Sequence, residues 1–219
     1  MKKSKKILIA LIIIVLLIIA GILLYSYFFK NDTNQEVRTI KSIPEYGYEL
    51  KENETKLYKD EFENLSKILS GKDVDYEAYA KSIAKLFIID LYTLDNKLSK
   101  NDVGGLDFIK DDMKDNFVEE VRSTFYKYLE VDSEKRNQDL PEVSEITNIS
   151  IENTNFVIKD TKSTTTSSKS RTTTKNIGTA VDAYKVNISW DYKEDFGYEK
   201  EANMIIIKDG KKLYIVEMD

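Results

Sequence analysis

The chain has 219 residues, of which 33 are basic and 38 acidic, and it contains neither histidine nor cysteine. The missing histidine removes the commonest general base and metal ligand, and the missing cysteine excludes disulfides, thiolate zinc sites and a lipid anchor on cysteine. This composition predicts a protein that is not an enzyme and that has no cofactor or metal, although paired carboxylates leave acid–base chemistry open.

The N-terminal region is a basic stub, residues 1–6, followed by an uninterrupted apolar run over residues 7–29. A helix of that length is about 35 Å long, which is enough to cross a hydrocarbon core of about 30 Å. All four lysines of the stub precede the apolar run, so the positive-inside rule places the N-terminus in the cytoplasm. The sequence therefore predicts a single-pass cell-membrane protein whose remaining residues lie outside.

A cleaved signal peptide is the alternative interpretation of the same segment. The apolar region of such peptides usually spans about 7–15 residues and ends in small residues before the cleavage site. Here the run is longer and ends in the bulky residues Tyr25 to Phe29, which suit the interfacial aromatic belt of a retained helix. These features favour the membrane anchor.

The region outside the predicted membrane helix is acidic. Without the five lysines that precede residue 31, 28 basic and 38 acidic side chains remain, a net charge of −10. Nucleic acids need a basic surface, so we expect no nucleic-acid partner. The basic residues include only four arginines. Usage rich in lysine, asparagine and isoleucine is typical of AT-rich bacterial genomes, and the lack of disulfides suits a Gram-positive-type envelope. With the membrane helix, these features predict a bacterial envelope protein.

The elements follow in chain order. Residues 30–54 are polar and without a sustained period, so they are predicted to form a stalk in which Tyr46 and Tyr48 are exposed. An outer domain follows over residues 55–219. Apolar residues at helical spacing predict three helices there. The first starts near Thr55 and ends near residue 69, and the second starts after a cap at Asp73 or Asp75 and ends near residue 94. The third runs from near Asp112 to about residue 129.

After Pro141 the apolar period changes from that of a helix to that of a strand. About four strands are predicted, over residues 146–158, 184–192, 202–207 and 213–218, with Asp209-Gly210 as the turn of the last hairpin. The segment 146–158 is either one long strand or two strands with a bend at Asn153. Helices followed by strands predict an α+β fold with an antiparallel sheet. The Ser/Thr-rich segment 161–176 is predicted to be a flexible loop, either a tolerated insertion or a basic arm that touches a partner.

The order of these elements resembles the nuclear-transport-factor-2-like fold, in which helices close a cone of curved antiparallel sheet. The strings FIIDLYTLDNKLSKNDVGGLDFI (87–109) and FYKYLE (125–130), on a domain behind one membrane helix, resemble assembly factors of conjugation and type IV secretion and other anchored bacterial proteins. The resemblance implies three helices packed on a curved sheet and a scaffold or protein-interaction role. Enzymes of the wider fold usually place a histidine in the cone, and this chain has none.

Asp90 is the most unusual single residue, because its carboxylate falls within the apolar stripe of the second predicted helix. One hypothesis makes it a pocket acid with a raised pKa that faces Trp190 and Tyr192 across the cone. The other makes it a structural carboxylate that accepts backbone N–H groups from the loop 101–105. That loop lacks the lysine of a P-loop, so it is not predicted to bind phosphate. The acidic clusters at 95–102 and 107–115 lack the spacing of an EF-hand, so they are not predicted to bind calcium.

Three functions remain open at this stage. The first is a non-enzymatic, membrane-anchored assembly or protein-interaction subunit whose partners are other envelope proteins. The second is an extracytoplasmic module that binds a small apolar or glycan-like ligand in the cone. The third is a hydrolase that pairs Asp90 with another carboxylate. A cavity with converging polar groups favours the second, and an exposed apolar surface favours the first.

Overall fold

The computed structural model of the protein describes four parts of the chain: residues 18–19, 37–130, 136–159 and 178–219. The chain divides into two compact units, the second of which is Val37–Asp219. In the first unit the description covers Ile18 and Ile19, which are helical.

Several predicted segments lie wholly or mostly outside the described residues. They are the stub 1–6, the apolar segment 7–29 apart from its two described residues, and the Ser/Thr-rich loop 161–176. Within the described parts of the chain, no helix is both long enough and apolar enough to cross a membrane.

The second unit is α+β, as predicted. Its described residues form three α-helices, a short 3-10 turn, a four-stranded antiparallel sheet and a separate two-stranded sheet. In chain order the elements are β1 (Thr39–Ile43), β2 (Tyr48–Lys51), α1 (Lys56–Leu69), α2 (Tyr76–Tyr92), the 3-10 turn (Leu106–Phe108), α3 (Asp111–Ser123), β3 (Val143–Lys159), β4 (Gly178–Tyr192), β5 (Glu201–Asp209) and β6 (Lys212–Met218).

The first two helices begin at the caps that the sequence indicates. The Thr55 hydroxyl accepts a hydrogen bond from the Tyr58 N–H at 3.2 Å. The Asp75 carboxylate accepts two, from the N–H groups of Glu77 and Ala78. Such caps satisfy donors that have no partner within the helix. The predicted starts of both helices are therefore confirmed.

The main sheet is a meander in the order β3-β4-β5-β6, in which each strand pairs antiparallel with the next. Alternate residues of β4 (Val186, Ile188 and Trp190) are buried, as the alternating pattern predicts. The last hairpin closes through Gly210, whose φ of 62° lies in the left-handed region. The core lies between this face of the sheet and α2, which packs against β3, β4 and β6.

The predicted stalk is wrong for residues 39–51. They form the β1–β2 hairpin, whose strands pair from Thr39–Lys51 to Ile43–Tyr48. Tyr46 and Tyr48 are buried instead of exposed, and the Tyr48 hydroxyl lies 2.5 Å from the Tyr79 hydroxyl of α2. Burial of these aromatic rings stabilises the short hairpin against the helices. The hairpin sequence has no periodic spacing of apolar residues from which this contact could be predicted.

The third predicted helix ends earlier than expected. The helix α3 stops at Ser123, because Thr124 has a non-helical backbone and its hydroxyl donates to the Glu120 carbonyl at 2.6 Å. The chain then turns so that Tyr126 is buried and its hydroxyl donates to the Leu91 carbonyl at 2.8 Å. Helical spacing from Val121 and Phe125 predicts Tyr128 on the same apolar face, but the turn leaves Tyr128 78% exposed.

The loop 101–105 is a turn, as predicted, and it packs tightly against α2. A methyl group on Gly104 would overlap the backbone carbonyl of Asp90, and one on Gly105 would overlap the Phe87 ring. Gly105 also has a φ of 80°, in the left-handed region. These two glycines allow the loop backbone to lie directly on the helix.

We predict that Gly104→Ala lowers the free energy of unfolding by about 1–3 kcal/mol, because the added methyl group meets backbone atoms that cannot rotate away. Urea denaturation of the purified protein measures this loss. Gly71→Ala is the matched control, since a methyl group there meets its neighbours at 3.5 Å and needs no positive φ. Equal stability of the two variants would contradict the tight packing of the loop.

Candidate functional site

The three residues that the sequence singles out do not share one hydrogen-bonded site among the described residues. Trp190 and Tyr192 lie on the buried face of β4. The Trp190 ring lies 4.8 Å from the Tyr92 ring of α2, and the Tyr192 hydroxyl donates to the Glu199 carbonyl at 2.8 Å. No described hydrogen bond joins Asp90 to either aromatic residue; its partners lie on the loop that follows α2.

The Asp90 carboxylate is held by two groups. One oxygen is paired with the Lys97 ammonium, and the other accepts the Gly105 N–H at 2.7 Å. Burial raises the pKa of Asp90, but the ammonium and the N–H outweigh burial and leave the pKa below its ordinary value. This geometry matches the structural hypothesis for Asp90, whereas a pocket acid needs a raised pKa.

Glu54 lies in the same buried ionic cluster, which we define as Glu54, Asp90 and Lys97. Burial, followed by the nearby Asp90 charge, raises the pKa of Glu54 to about 7. Burial lowers the pKa of Lys97, but the negative charges of Asp90 and Glu54 leave it above its ordinary value. A carboxylate pair with divergent pKa values is typical of acid–base sites. None of the three residues lines either described cleft, so we interpret the cluster as structural.

The described surface contains a large apolar groove, which we call the α3–β6 groove, of about 810 Å³. Its floor and walls come from α2, α3, the end of β6 and the loop between β4 and β5. The lining residues are Phe87, Leu91, Tyr92, Ile109, Met113, Asn116, Phe117, Glu120, Val121, Thr124, Phe125, Gly197, Tyr198, Glu199, Ile215, Val216, Glu217 and Met218.

The groove exists because α3 packs only partly against the domain. Met113, Phe117 and Val121 recur every four residues and form one apolar face. Of the residues of α3, Val121 is buried, while Met113 and Phe117 are half-buried. The Phe117 ring reaches the Phe87 ring of α2 at 5.8 Å. The helix is thus attached along one line, and the rest of its apolar face borders open space.

The described charged residues of the α3–β6 groove are all acidic. Its charged lining residues are Glu120, Glu199 and Glu217, and no lysine or arginine occurs among the described residues that line it. The Glu199 carboxylate accepts the Tyr92 hydroxyl at 3.3 Å, which fixes it at the rim. Aromatic and methionine side chains below a rim of carboxylates suit an apolar ligand that carries positive charge.

A second, more polar cleft of about 1060 Å³ adjoins the groove and shares Tyr92, Tyr198, Glu199 and Met218 with it. Its lining includes Trp190 and the amides of Asn187 and Asn203, which hydrogen-bond to each other. The indole N–H of Trp190 is buried and meets hydrogen-bond geometry with no described group. This cleft is the location for the small-ligand alternative.

Burial accounts for the pKa of Tyr192, whose hydroxyl bonds to the loop between β4 and β5. The pKa of Tyr192 rises to about 12, chiefly through burial and against the effect of the nearby Trp190 indole. The hydroxyl therefore stays protonated at neutral pH and serves as a hydrogen-bond donor to the Glu199 carbonyl. Its role in the structure is to hold the loop that forms one wall of the groove.

Metal binding has no support in the described parts of the chain, where no group of three or more acidic side chains is placed to hold an ion. The groove itself was not predicted from the sequence. The helical spacing of Phe117, Val121 and Phe125 predicts one apolar face, and all three residues line the groove. The edge formed by Glu217 and Met218 was not expected. The signal in the sequence that could have indicated the groove was this apolar face, because it contains more apolar residues than the one that the structure buries.

Comparison with known proteins gives no relative for this chain: no protein-family model matches it, and neither a curated protein nor a solved structure does.

Proposed function

We propose that this protein is a non-enzymatic, membrane-anchored interaction subunit of a bacterial envelope complex, and that its partner contacts the α3–β6 groove. The observation that carries the proposal is the groove itself, which is apolar, open and bordered by three glutamates. Exposed apolar surface of this kind marks interaction sites in soluble domains. The apolar run 7–29 supplies the anchor and places the domain outside the cell membrane.

The order of three helices followed by an antiparallel meander supports a further part of the proposal. We propose that the domain is related in architecture to the nuclear-transport-factor-2-like fold and to the anchored assembly factors of conjugation and type IV secretion. Such proteins act by holding other subunits. The lack of histidine and cysteine in the chain supports a binding role over catalysis.

A small-ligand module is the second candidate, and the polar cleft favours it. Paired amides beside an aromatic wall, as with Asn187, Asn203 and Trp190, are suited to a hydroxyl-rich ligand. The groove is the stronger candidate because covering apolar surface gives more binding free energy than covering polar groups that already hydrogen-bond to water.

Site-specific photocrosslinking in intact cells tests the proposal. A photoreactive residue in place of Met113, in the groove, is expected to give a discrete adduct with another envelope protein. The same residue in place of Asp115, which is exposed on the same helix and does not line the groove, is the matched control. No adduct from Met113, or the same adducts from both positions, would count against a partner in the groove.

A further inference from the structure

The α3–β6 groove runs along an edge of the main sheet. In the order β3-β4-β5-β6 the last strand has one neighbour among the described strands, β5. On its other side, among the described residues, the Tyr48 and Tyr79 hydroxyls hydrogen-bond to the Leu213 backbone. Further along the strand, a parallel bridge joins Ile109 to Ile215. The chain then leaves the sheet and enters α3 at Asp111. Beyond that bridge, residues 216–218 line the groove.

The backbone at the end of β6 points into this open space. Asn203 and Asp219 exchange both of their backbone hydrogen bonds, at 2.8 and 3.0 Å. In an antiparallel ladder the neighbouring pair, here Met204 and Met218, is then a non-hydrogen-bonded pair. The N–H and C=O of Met218 therefore face away from β5, towards the edge that no described strand covers. An edge of this kind is a template for one more strand.

The shape of the groove favours an extended occupant over a helical one. A volume of about 810 Å³ is the size of a pocket for one short segment, not of a surface for a folded domain. A helix is about 10–12 Å wide and keeps its own backbone groups paired, so it would bury the Met218 N–H and C=O without partners. A strand would satisfy both groups.

The charge of the groove defines the occupant further. Its described charged lining residues are Glu120, Glu199 and Glu217. A second copy of this chain is a poor occupant, because the region after residue 30 carries a net charge of −10. A segment with lysine or arginine beside apolar residues would pair with the rim and cover the aromatic floor.

On the basis of the function proposed above, we propose that the partner enters the α3–β6 groove as an extended segment of alternating apolar and basic residues, and that this segment adds a strand to β6. Alternation follows from strand geometry, since successive side chains point to opposite faces. One row contacts Phe117 and the neighbouring apolar lining, and the other row reaches the glutamates.

A displayed library of random short peptides, selected against the full chain in lipid nanodiscs, tests this inference. We expect the selected peptides to alternate apolar residues with lysine or arginine. Glu217→Lys should weaken the best peptide roughly tenfold or more, because it places a like charge beside the ligand. Glu119→Lys, on the exposed face of α3 away from the groove, is the control and should change the affinity little.

Two further measurements test whether the bound peptide pairs with β6 as an added strand. Hydrogen exchange at the Met218 amide should slow on peptide binding, and N-methylation of the peptide should abolish binding at every second residue only. Acidic or helix-periodic peptides, an unchanged Met218 amide, or no groove-dependent binder at all would each overturn strand addition. The Met113 crosslink decides the proposed function separately, since a partner could occupy the groove in another conformation and still give that adduct.

Discussion

Replacing Lys97 with methionine is expected to lower the free energy of unfolding by about 3–5 kcal/mol. The Lys97 side chain is buried, and its ammonium is paired with the Asp90 carboxylate and lies close to Glu54. Methionine fills a similar volume, but it leaves the Asp90 charge without its cation inside the protein. Thermal or urea denaturation at neutral pH measures the loss.

The double variant Lys97→Met with Asp90→Asn distinguishes charge from packing. Asparagine removes the buried charge and keeps an oxygen that accepts the Gly105 N–H, so the double variant should regain most of the lost stability. Lys56→Met is the control, because the Lys56–Asp60 pair is exposed and such pairs contribute little. A double variant as unstable as Lys97→Met alone would show that the loss comes from packing and not from an unpaired Asp90.

Local signals in the sequence were sufficient for most of the secondary structure. Thr55 and Asp75 are capping residues followed by apolar residues at helical spacing, and α1 and α2 begin directly after them. The strand β4 follows from strict alternation, because its two faces meet a core and a more open surface. These elements are determined by residues close together in the chain, so they can be predicted from the local sequence pattern.

The β1–β2 hairpin shows where local signals end. Its strands have five and four residues, too few to display a period. Its stability comes from Tyr46 and Tyr48, which pack on Tyr79 more than thirty residues away in the chain. Burial of this kind depends on the tertiary fold, so the same polar, proline-containing stretch suggested a stalk.

The candidate site was less accessible to prediction than the fold. Asp90 was recognisable as a carboxylate on an apolar stripe, and its loop partner was among the alternatives. The α3–β6 groove was not recognisable, because it brings together α2, α3, the loop 197–199 and the end of β6. Each of these segments is unremarkable by itself, and only the incomplete packing of α3 makes them a groove.

Glu54 is expected to make the stability of the domain fall as the pH rises towards 7. Burial and the Asp90 charge raise its pKa to about 7 from an ordinary value of 4.5, so the folded protein keeps a proton that the unfolded chain has lost. Stability from this group is therefore present below pH 4.5 and is lost as the pH rises through about 7. Asp90 acts in a separate window, since its pKa lies below 3.8 and its contribution is lost only at more acidic pH.

Glu54→Gln is therefore expected to remove a loss of about 2.5 kcal/mol between pH 5 and pH 8. The reason is that glutamine stays neutral throughout this range and can still accept a hydrogen bond from the Asn96 amide. Melting temperatures across this range should fall with pH for the natural protein and stay flatter for the variant, which should be the more stable of the two at pH 8. Glu52→Gln, an exposed neighbour paired with Arg38, is the control and should keep the natural slope. Parallel curves for the natural protein and Glu54→Gln would mean that Glu54 is already ionised at pH 5, and that Lys97 and Lys51 offset the cost of burying its charge.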